Sequence, residues 1–164
     1  MIRVAILTAS DKGSRGERED LSASVIRELV ARIEGEVVAY AVVPDDREIL
    51  AQKLREFCDE VKADLVLTTG GTGFGPRDVT PEATRDVIER EVPGLPEAMR
   101  AAGLKATPRA MLSRAIAGIR GKSLIINLPG SPKGVRENLE TILPALPHGL
   151  AILKEEVSEC AREG

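Results

Sequence analysis

Short apolar runs alternate with segments of helical periodicity along the first half of the chain. An apolar run at residues 4–9 and a β-branched run at 37–43 have the length of buried strands, and residues 64–69 are predicted as a third strand. Between them, apolar residues recur at the spacing of an amphipathic helix over residues 21–33 and again over about 46–61. The pattern predicts strand, helix, strand, helix, strand.

Capping residues stand at the starts of the predicted helices. Asp20 and Ser22 are candidate caps of the first helix. Thr80 stands at the cap position of a third helix, followed by Pro and Glu, and this helix is predicted to run to about residue 90. The remaining predicted elements are shorter helices at 93–103 and 107–114, a hairpin at 115–128, and helices at 132–146 and 148–160.

This alternation predicts the fold class. Parallel strands joined by helices have right-handed crossovers, which place helices on both faces of the sheet. We therefore expect a single domain over residues 1–164, an α/β three-layer sandwich with a mostly parallel sheet and one antiparallel strand from the late hairpin. Ligands bind outside the carboxyl ends of such strands. Four loops fall there: SDKGSRG (10–16), PDD (44–46), GGTGFGPRD (70–78) and NLPGSPKG (127–134).

Composition narrows the classes of function. The net charge is −3, and the chain has no Trp and a single Tyr, which argues against a nucleic-acid binder because such proteins need clustered cations and stacking aromatics. The apolar run at the amino terminus is too short for a secretory core or a membrane span, so we expect a cytoplasmic protein with no membrane partner.

Cys58 and Cys160 are far apart with no ligand spacing, and Cys58 shares a helical apolar face, which indicates core packing.

The third loop has the composition of a phosphate-binding loop. Glycines let the backbone adopt positive φ and bring N–H groups close to an anion with no Cβ in the way. The loop is not a P-loop, because Pro76-Arg77 replaces the Lys-Ser/Thr pair that follows the second glycine of that motif. A long turn between a strand and a helix is the structural alternative. The glycines of this loop are Gly70, Gly71, Gly73 and Gly75.

Two aspartates add a metal to this hypothesis. Arg77 offers a bidentate fork for phosphate oxygens, but Asp78 brings a carboxylate to the same loop. A carboxylate beside phosphates is repelled unless a cation lies between them, and Mg²⁺ is usually held by one or two carboxylates with substrate phosphates. Asp46 can simply cap the following helix, which leaves Asp45 as the better second metal ligand.

The motifs together resemble a known family. TTGGTGFGPRDVTPEAT (68–84), NLPGSPKGVRENL (127–139), SDKGSRGEREDLS (10–22) and VPDD (43–46) are similar to the molybdopterin adenylyltransferases of the MogA/MoaB type, which are related to the G domains of gephyrin and the plant Cnx proteins. The resemblance covers nearly the whole chain. It implies an enzyme of molybdenum-cofactor biosynthesis, a nucleotidyltransferase that moves AMP from Mg·ATP to molybdopterin and releases pyrophosphate. It also implies a homotrimer, with a downstream molybdenum insertase as a candidate partner.

The resemblance assigns roles to residues of this chain. Asp45 and Asp78 correspond to the catalytic, metal-binding aspartates of the family, the same pair that the charge argument selects. The nucleotide- and pterin-binding residues that it implies are Ser10, Asp11, Gly70, Gly71, Thr72, Gly73, Gly75, Arg77, Gly130 and Ser131.

Some positions leave alternatives open. Family members commonly have DxSG where this chain has Asp20-Leu21-Ser22-Ala23, so Ala23 places a methyl group at a position that often tolerates positive φ. A molybdopterin-binding or carrier protein without turnover is the alternative to the enzyme, and a trimeric scaffold of the kind fused into anchoring proteins is a third. His148 has no nucleophile motif near it, which indicates a structural or solvent-facing role.

Overall fold

A six-stranded mixed sheet forms the centre of the protein, in a computed structural model that describes residues 1–156. The strand order is β2-β1-β3-β6-β5-β4. Pairing is parallel from β2 through β6, and β5 runs antiparallel to both of its neighbours. The predicted fold class is confirmed, including the antiparallel strand of the hairpin. The strands are β1 (Ile2–Ala9), β2 (Gly35–Val43), β3 (Leu65–Thr69), β4 (Arg90–Glu91), β5 (Ala117–Arg120) and β6 (Ser123–Leu128).

Helices cover both faces of this sheet. Successive strand residues point to opposite faces, so Val4 and Ile6 pack into one apolar core while Ala5 and Leu7 pack into the other. The first core lies under α2, α5, α6 and α7, and the second lies under α3 and α4. The helices are α1 (Asp11–Ser14), α2 (Leu21–Val30), α3 (Arg47–Asp59), α4 (Thr80–Arg85), α5 (Gly94–Leu104), α6 (Pro132–Ile142) and α7 (Leu146–Leu153), with 3-10 turns at Ala31–Ile33, Pro108–Leu112 and Leu143–Ala145.

The register of the parallel strands aligns their carboxyl ends. Ala9 at the end of β1 lies opposite Val43 at the end of β2, and Thr69 at the end of β3 lies opposite Leu128 at the end of β6. Because these strands stop together, the loops that follow them share one edge of the sheet.

The helix that begins at Thr80 is shorter than predicted. It ends at Arg85 rather than near residue 90, because Val87 is buried against the sheet and the Glu89 N–H donates to the Ile119 carbonyl at 2.8 Å. The chain therefore continues as β4, a strand that the helical pattern concealed. Thr80 is also not the cap: Val79 occupies that position without a side-chain hydrogen bond.

The other element boundaries differ by smaller amounts. Predicted caps Asp20 and Asp46 do cap α2 and α3, accepting from the N–H groups of Ala23 and Ile49, whereas Ser22 lies inside α2. The predicted helix at 107–114 is a 3-10 turn, the helix at 132–146 ends at 142, and the last helix begins at 146. It ends at Leu153 rather than continuing toward Cys160, and residues 157–160 of the prediction lie outside the described residues.

Two further expectations concern the core and the membrane. Cys58 is buried in the second core, as predicted, and burial raises the pKa of its thiol to about 11. Within residues 1–156, no helix has the length and apolar character needed to cross a bilayer.

Asn127 joins β6 to its neighbours inside the protein. It is fully buried, its amide donates to Thr68 Oγ1 at 3.0 Å and Thr84 Oγ1 at 2.9 Å, and its Oδ1 accepts from the Ile116 N–H at 3.1 Å.

Asn127→Ala leaves these groups without their partner, and we expect the free energy of unfolding in urea to fall by about 3 kcal/mol. Asn138→Ala, which removes one partly buried hydrogen bond to Gly134, is the control and should cost under about 1 kcal/mol. Equal losses in the two variants would contradict this account.

Candidate functional site

A cavity of about 650 Å³ lies at the carboxyl edge of the parallel strands. All four of the predicted loops contribute to its wall. The cavity is lined by these members of the predicted set: Ser10, Asp45, Gly70, Gly71, Asp78, Gly130 and Ser131.

The first two loops are joined by a reciprocal pair of aspartates. The Asp11 N–H donates to Asp45 Oδ2 at 3.0 Å, and the Asp45 N–H donates to Asp11 Oδ1 at 2.9 Å. Arg77 from the glycine loop donates to both Asp11 carboxylate oxygens, at 3.2 and 3.0 Å. Each carboxylate therefore fixes the backbone of the other loop, and Arg77 brings the third loop to the same place.

The pKa values of the two carboxylates in this pair are shifted in opposite directions. The hydrogen bond from Arg77 lowers the pKa of Asp11. Burial raises the pKa of Asp45, and the charges of Asp11 and Asp78 raise it further. The charge of Asp45 is therefore unfavourable in the folded protein and would be stabilised by a positive partner.

Asp78 is held by the glycine loop itself. The Gly75 N–H donates to Asp78 Oδ2 at 2.9 Å, and the Asp78 N–H donates to the Gly75 carbonyl at 3.0 Å. A Cβ at Gly73 would come within 3.0 Å of Asp78 Oδ2. The carboxylate therefore occupies space that any other residue at 73 would fill.

Gly70 and Gly71 adopt positive φ and have no room for a side chain. A Cβ at Gly70, where φ is 95°, would lie 2.5 Å from the Ala9 carbonyl oxygen. A Cβ at Gly71, where φ is 73°, would lie 2.2 Å from Thr80 Oγ1 and 3.4 Å from Asp45 Oδ1. The backbone of the loop thus packs directly against the strand end, the start of α4 and one of the aspartates.

The last loop closes the cavity on the side of α2 and α6. Ser131 caps α6, accepting from the Gly134 N–H at 3.0 Å, and a Cβ at Gly130 would lie 3.4 Å from the Gly70 Cα. The Ser22 hydroxyl donates to the Gly130 carbonyl at 2.7 Å. Ala23 is the third residue of α2 and is buried in the first core, so its methyl group lies in an ordinary helix.

The remaining predicted residues lie around this cavity rather than in its wall. Thr72 and Gly73 line a second cavity of about 360 Å³ between the glycine loop, α5 and α6. Arg77 lies outside both cavity walls, with its fork paired to Asp11 and 63% of its side chain exposed. His148 is exposed on α7 and also lies outside both walls.

Sequence reasoning missed a polar cluster in the cavity wall. Asp20 caps α2 with one oxygen, and its Oδ2 accepts from Thr8 Oγ1 and from the Tyr40 hydroxyl, each at 2.5 Å. Burial and the Asp20 charge raise the pKa of Tyr40 to about 12. Asp20 was interpretable only as a cap, and Tyr40 as one residue of a β-branched run, so only the fold brings them together.

The number of acidic side chains at the cavity bears on the predicted magnesium site. Within the part of the chain that the structure describes, no group of three or more His, Cys, Asp or Glu side chains is placed to hold a metal. Asp45 and Asp78, the two aspartates predicted as metal ligands, both line the cavity. This number fits Mg²⁺, which keeps waters and takes phosphate oxygens as its other ligands.

The fold and the cavity define an α/β protein with a ligand site at the carboxyl edge of its sheet. Comparison with known proteins identifies the family: residues 5–148 match the family described as a probable molybdopterin binding domain, and the chain belongs to that family. The resemblance noted in the sequence is thereby confirmed.

Relatives and solved structures agree with this assignment. The chain is 48% identical over 149 residues to the molybdopterin adenylyltransferase of Helicobacter pylori strain J99, covering 90% of this chain and 85% of that protein. It is 44% identical to gephyrin of Dictyostelium discoideum, covering 93% of this chain but 23% of gephyrin. The crystal structure of the molybdopterin biosynthesis enzyme MoaB from Thermus thermophilus superposes with a TM-score of 0.89 at 57% identity, covering 93% of this chain and 96% of that one. These relationships confirm the expectation of an enzyme in molybdenum-cofactor biosynthesis.

The raised pKa of Asp45 predicts a pH-dependent gain on removing its charge. A carboxylate whose pKa is raised on folding makes the protein less stable as pH rises through the interval between the unfolded and folded values. In the presence of EDTA, Asp45→Asn should therefore be more stable than the wild type at neutral pH, and the difference should shrink as the pH falls toward about 4. Urea unfolding at a series of pH values measures this.

Asp86→Asn is the matched control for that experiment. Arg47 lowers the pKa of Asp86, so its charge stabilises the fold above the unfolded pKa and this contribution is lost as pH falls. Asp86→Asn should thus be the less stable protein at neutral pH, with the opposite sign to Asp45→Asn. The same sign in both would show that Asp45 is not destabilised by its surroundings.

The crowding at Gly71 predicts a large cost for an alanine there. Gly16 has nearly the same φ as Gly71, 74°, but a Cβ at Gly16 would meet no other atom within 4 Å. Gly16→Ala should lower the free energy of unfolding by about 1 kcal/mol through backbone strain alone. Gly71→Ala adds the collision with Thr80 and should cost about 1–3 kcal/mol more. Chemical denaturation of the two variants side by side tests the difference, and equal losses would contradict it.

Proposed function

We propose that this protein transfers AMP from Mg·ATP to the terminal phosphate of molybdopterin and releases pyrophosphate. The observation that carries the proposal is that Asp45 and Asp78, from different loops, both lie at the glycine loop and line one cavity. The names of relatives at 42% to 48% identity support ATP and molybdopterin as substrates.

The proposed reaction joins two polyanions. An oxygen of the molybdopterin phosphate attacks the α-phosphorus of ATP and forms a new phosphoanhydride bond. The bond from the α-phosphorus to its bridging oxygen breaks, and pyrophosphate leaves with the electron pair. Catalysis of such a step depends on positioning and on neutralising charge at the phosphates.

The aspartates would hold the metal for this step. Asp45 and Asp78 are the proposed protein ligands of Mg²⁺, which supplies positive charge to the phosphate oxygens when bound. The site favours a cation, because a positive charge would offset the burial of Asp45 and its repulsion by Asp11 and Asp78.

Backbone groups would bind the phosphates. Gly71 would offer its N–H group to a phosphate, whereas the Gly70 N–H donates to the Leu128 carbonyl at 3.1 Å, so Gly70 would contribute close approach without a side chain. Gly130 and Ser131 stand beside Gly70 at the amino terminus of α6, where helix N–H groups favour an anion. Ser10 lines the same cavity. The phosphate chain would lie along the wall that the glycine loop and the start of α6 form together.

Arg77 and Asp11 would act at the edge of this site. A phosphate group carries more negative charge than a carboxylate, so it would compete with Asp11 for the exposed guanidinium fork. Thr72 and Gly73 line the second cavity, where we propose further ligand contacts, and Gly75 would act through its hydrogen bond to Asp78.

Assembly and hand-over are part of the proposal. The family resemblance supports a homotrimer and a molybdenum insertase as the next partner. Large apolar side chains exposed on the surface offer contacts for either: Phe74 is 73% exposed and Met111 is 62% exposed.

Pyrophosphate release by the purified protein tests the activity. With Mg·ATP and molybdopterin, release should require the pterin and should fall by about 100-fold or more in Asp45→Asn and in Asp78→Asn, because each removes one of two metal ligands. Asp86→Asn, a surface aspartate paired with Arg47, should retain wild-type rates.

Two results would overturn the proposal. Pterin binding without pyrophosphate release would identify a molybdopterin-binding or carrier protein of the same fold. Full activity in both aspartate variants would place the metal elsewhere.

A further inference from the structure

Arg114 ties the glycine loop to the segment that precedes β5. Its backbone N–H donates to the Thr72 carbonyl at 2.9 Å, and its Nε donates to the Gly73 carbonyl at 2.8 Å. Its other guanidinium nitrogens donate to the Asp78 carbonyl at 2.7 Å and to the Glu82 carboxylate at 2.7 and 3.3 Å. One residue therefore contacts the start of the loop, its end and the helix that follows.

These contacts fix Asp78 from two directions. Its carboxylate is held by the Gly75 N–H on one side, and its carbonyl is held by Arg114 on the other. Without the second contact, the peptide that carries Asp78 would depend on hydrogen bonds within the loop alone. The position of the Asp78 carboxylate relative to Asp45 thus depends on a residue outside the cavity wall.

Arg114 is itself held in place by α5. Arg100 donates to the carbonyls of Ser113 and Ala115, the two residues that flank it, at 3.2 and 3.0 Å. The second cavity lies at this junction and is lined by Arg100, Ser113 and Ala115. Arg100 of α5 therefore holds the backbone around Arg114, and Arg114 in turn holds the Asp78 carbonyl.

We propose that Arg114 is a positioning residue that sets the separation of the two metal-binding aspartates by clamping the carbonyls of Gly73 and Asp78. The metal part of this inference rests on the proposed function. The clamp itself does not, because it is a property of the loop in the free protein.

The Glu82 ion pair is not the basis of the clamp. The side chains of Arg114 and Glu82 are 34% and 38% exposed, and a partly exposed ion pair contributes little. A guanidinium presents several donors in a rigid fork, which lets one side chain hold two carbonyls and a carboxylate, whereas an ammonium on a flexible stem cannot span them. Glu82→Gln should therefore leave the clamp intact, and Arg114→Lys should not restore it.

Hydrogen exchange in the free protein tests the clamp directly. In Arg114→Met, the amides of Gly75, Asp78 and Thr80, which are bonded within or across the loop, should exchange about tenfold faster than in the wild type. Arg114→Lys should behave similarly, and Glu82→Gln should stay within about twofold of the wild type. Arg120→Met is the matched control, since Arg120 also holds a carboxylate and a carbonyl, those of Asp59 and Val87, far along the sheet from the loop.

Magnesium dependence tests the consequence for the aspartates. In Arg114→Met and Arg114→Lys, the Mg²⁺ concentration for half-maximal pyrophosphate release should rise about tenfold, because one ligand is no longer held in position. The KM for ATP at saturating Mg²⁺ should change by less than about twofold, because Gly70 and Ser131 are untouched. Arg120→Met and Glu82→Gln should match the wild type in both.

The outcomes separate the clamp from the activity. Unchanged exchange at residues 72–80 in both Arg114 variants would overturn the clamp, whatever the activity. Faster exchange with an unchanged Mg²⁺ requirement would overturn the link to the aspartates. If the wild type releases no pyrophosphate, the proposed function fails and the exchange data still decide whether the clamp exists. Should Arg114→Met fail to fold, Arg114→Lys and Glu82→Gln carry the comparison.

Discussion

The common ending of four parallel strands is the constraint on which the site depends. β1, β2, β3 and β6 are paired in a register that stops them at the same edge, so the loops that follow must meet there. Hydrogen bonds then join these loops to each other: Asp11 bonds with Asp45 and with Arg77, and the Gly70 N–H donates to the Leu128 carbonyl.

This meeting places negative charges near one another in a partly buried cavity. Arg77 compensates Asp11, whereas Asp45 keeps an unfavourable charge. Sites that bind cations and phosphates often store such a cost in the free protein and recover it on binding. The glycines carry a second cost, since Gly70 and Gly71 adopt conformations that only glycine reaches easily. The local energetics of the cavity therefore favour ligand binding over stability.

Much of the fold was accessible from the sequence because local patterns agreed with it. The apolar run at 4–9 became β1, and Asp46 capped α3 with the spacing that a cap requires. The end of α4 was not accessible, because Val87 and Ile88 fit a helical pattern equally well and only the pairing of β4 with β5 decides between them. The prediction that Thr80 caps α4 was wrong for a similar reason. The Thr80 N–H donates across the loop to the Gly71 carbonyl, a contact that exists only in the folded chain.

The candidate site likewise contains residues that the sequence could predict and residues that only the fold reveals. Glycines and aspartates in loops are recognisable candidates by residue type, so the place of Asp45, Asp78 and Gly71 at the cavity could be predicted from the sequence. The partner of Arg77 could not, because Asp11 is 66 residues away and a phosphate would satisfy the same fork. No sequence pattern pointed to Arg114 or Tyr40 as residues near the site, since the contacts that bring them there exist only after the chain is folded.

The early end of α4 has an effect at the far side of the sheet. β4 has only two residues, Arg90 and Glu91, both charged and both exposed, and it forms the outer edge beside the late hairpin. Long apolar edges invite strands from other molecules to pair with them, and short charged edges discourage it. The hairpin is thus protected from aggregation by a strand too brief and too polar to serve as a template.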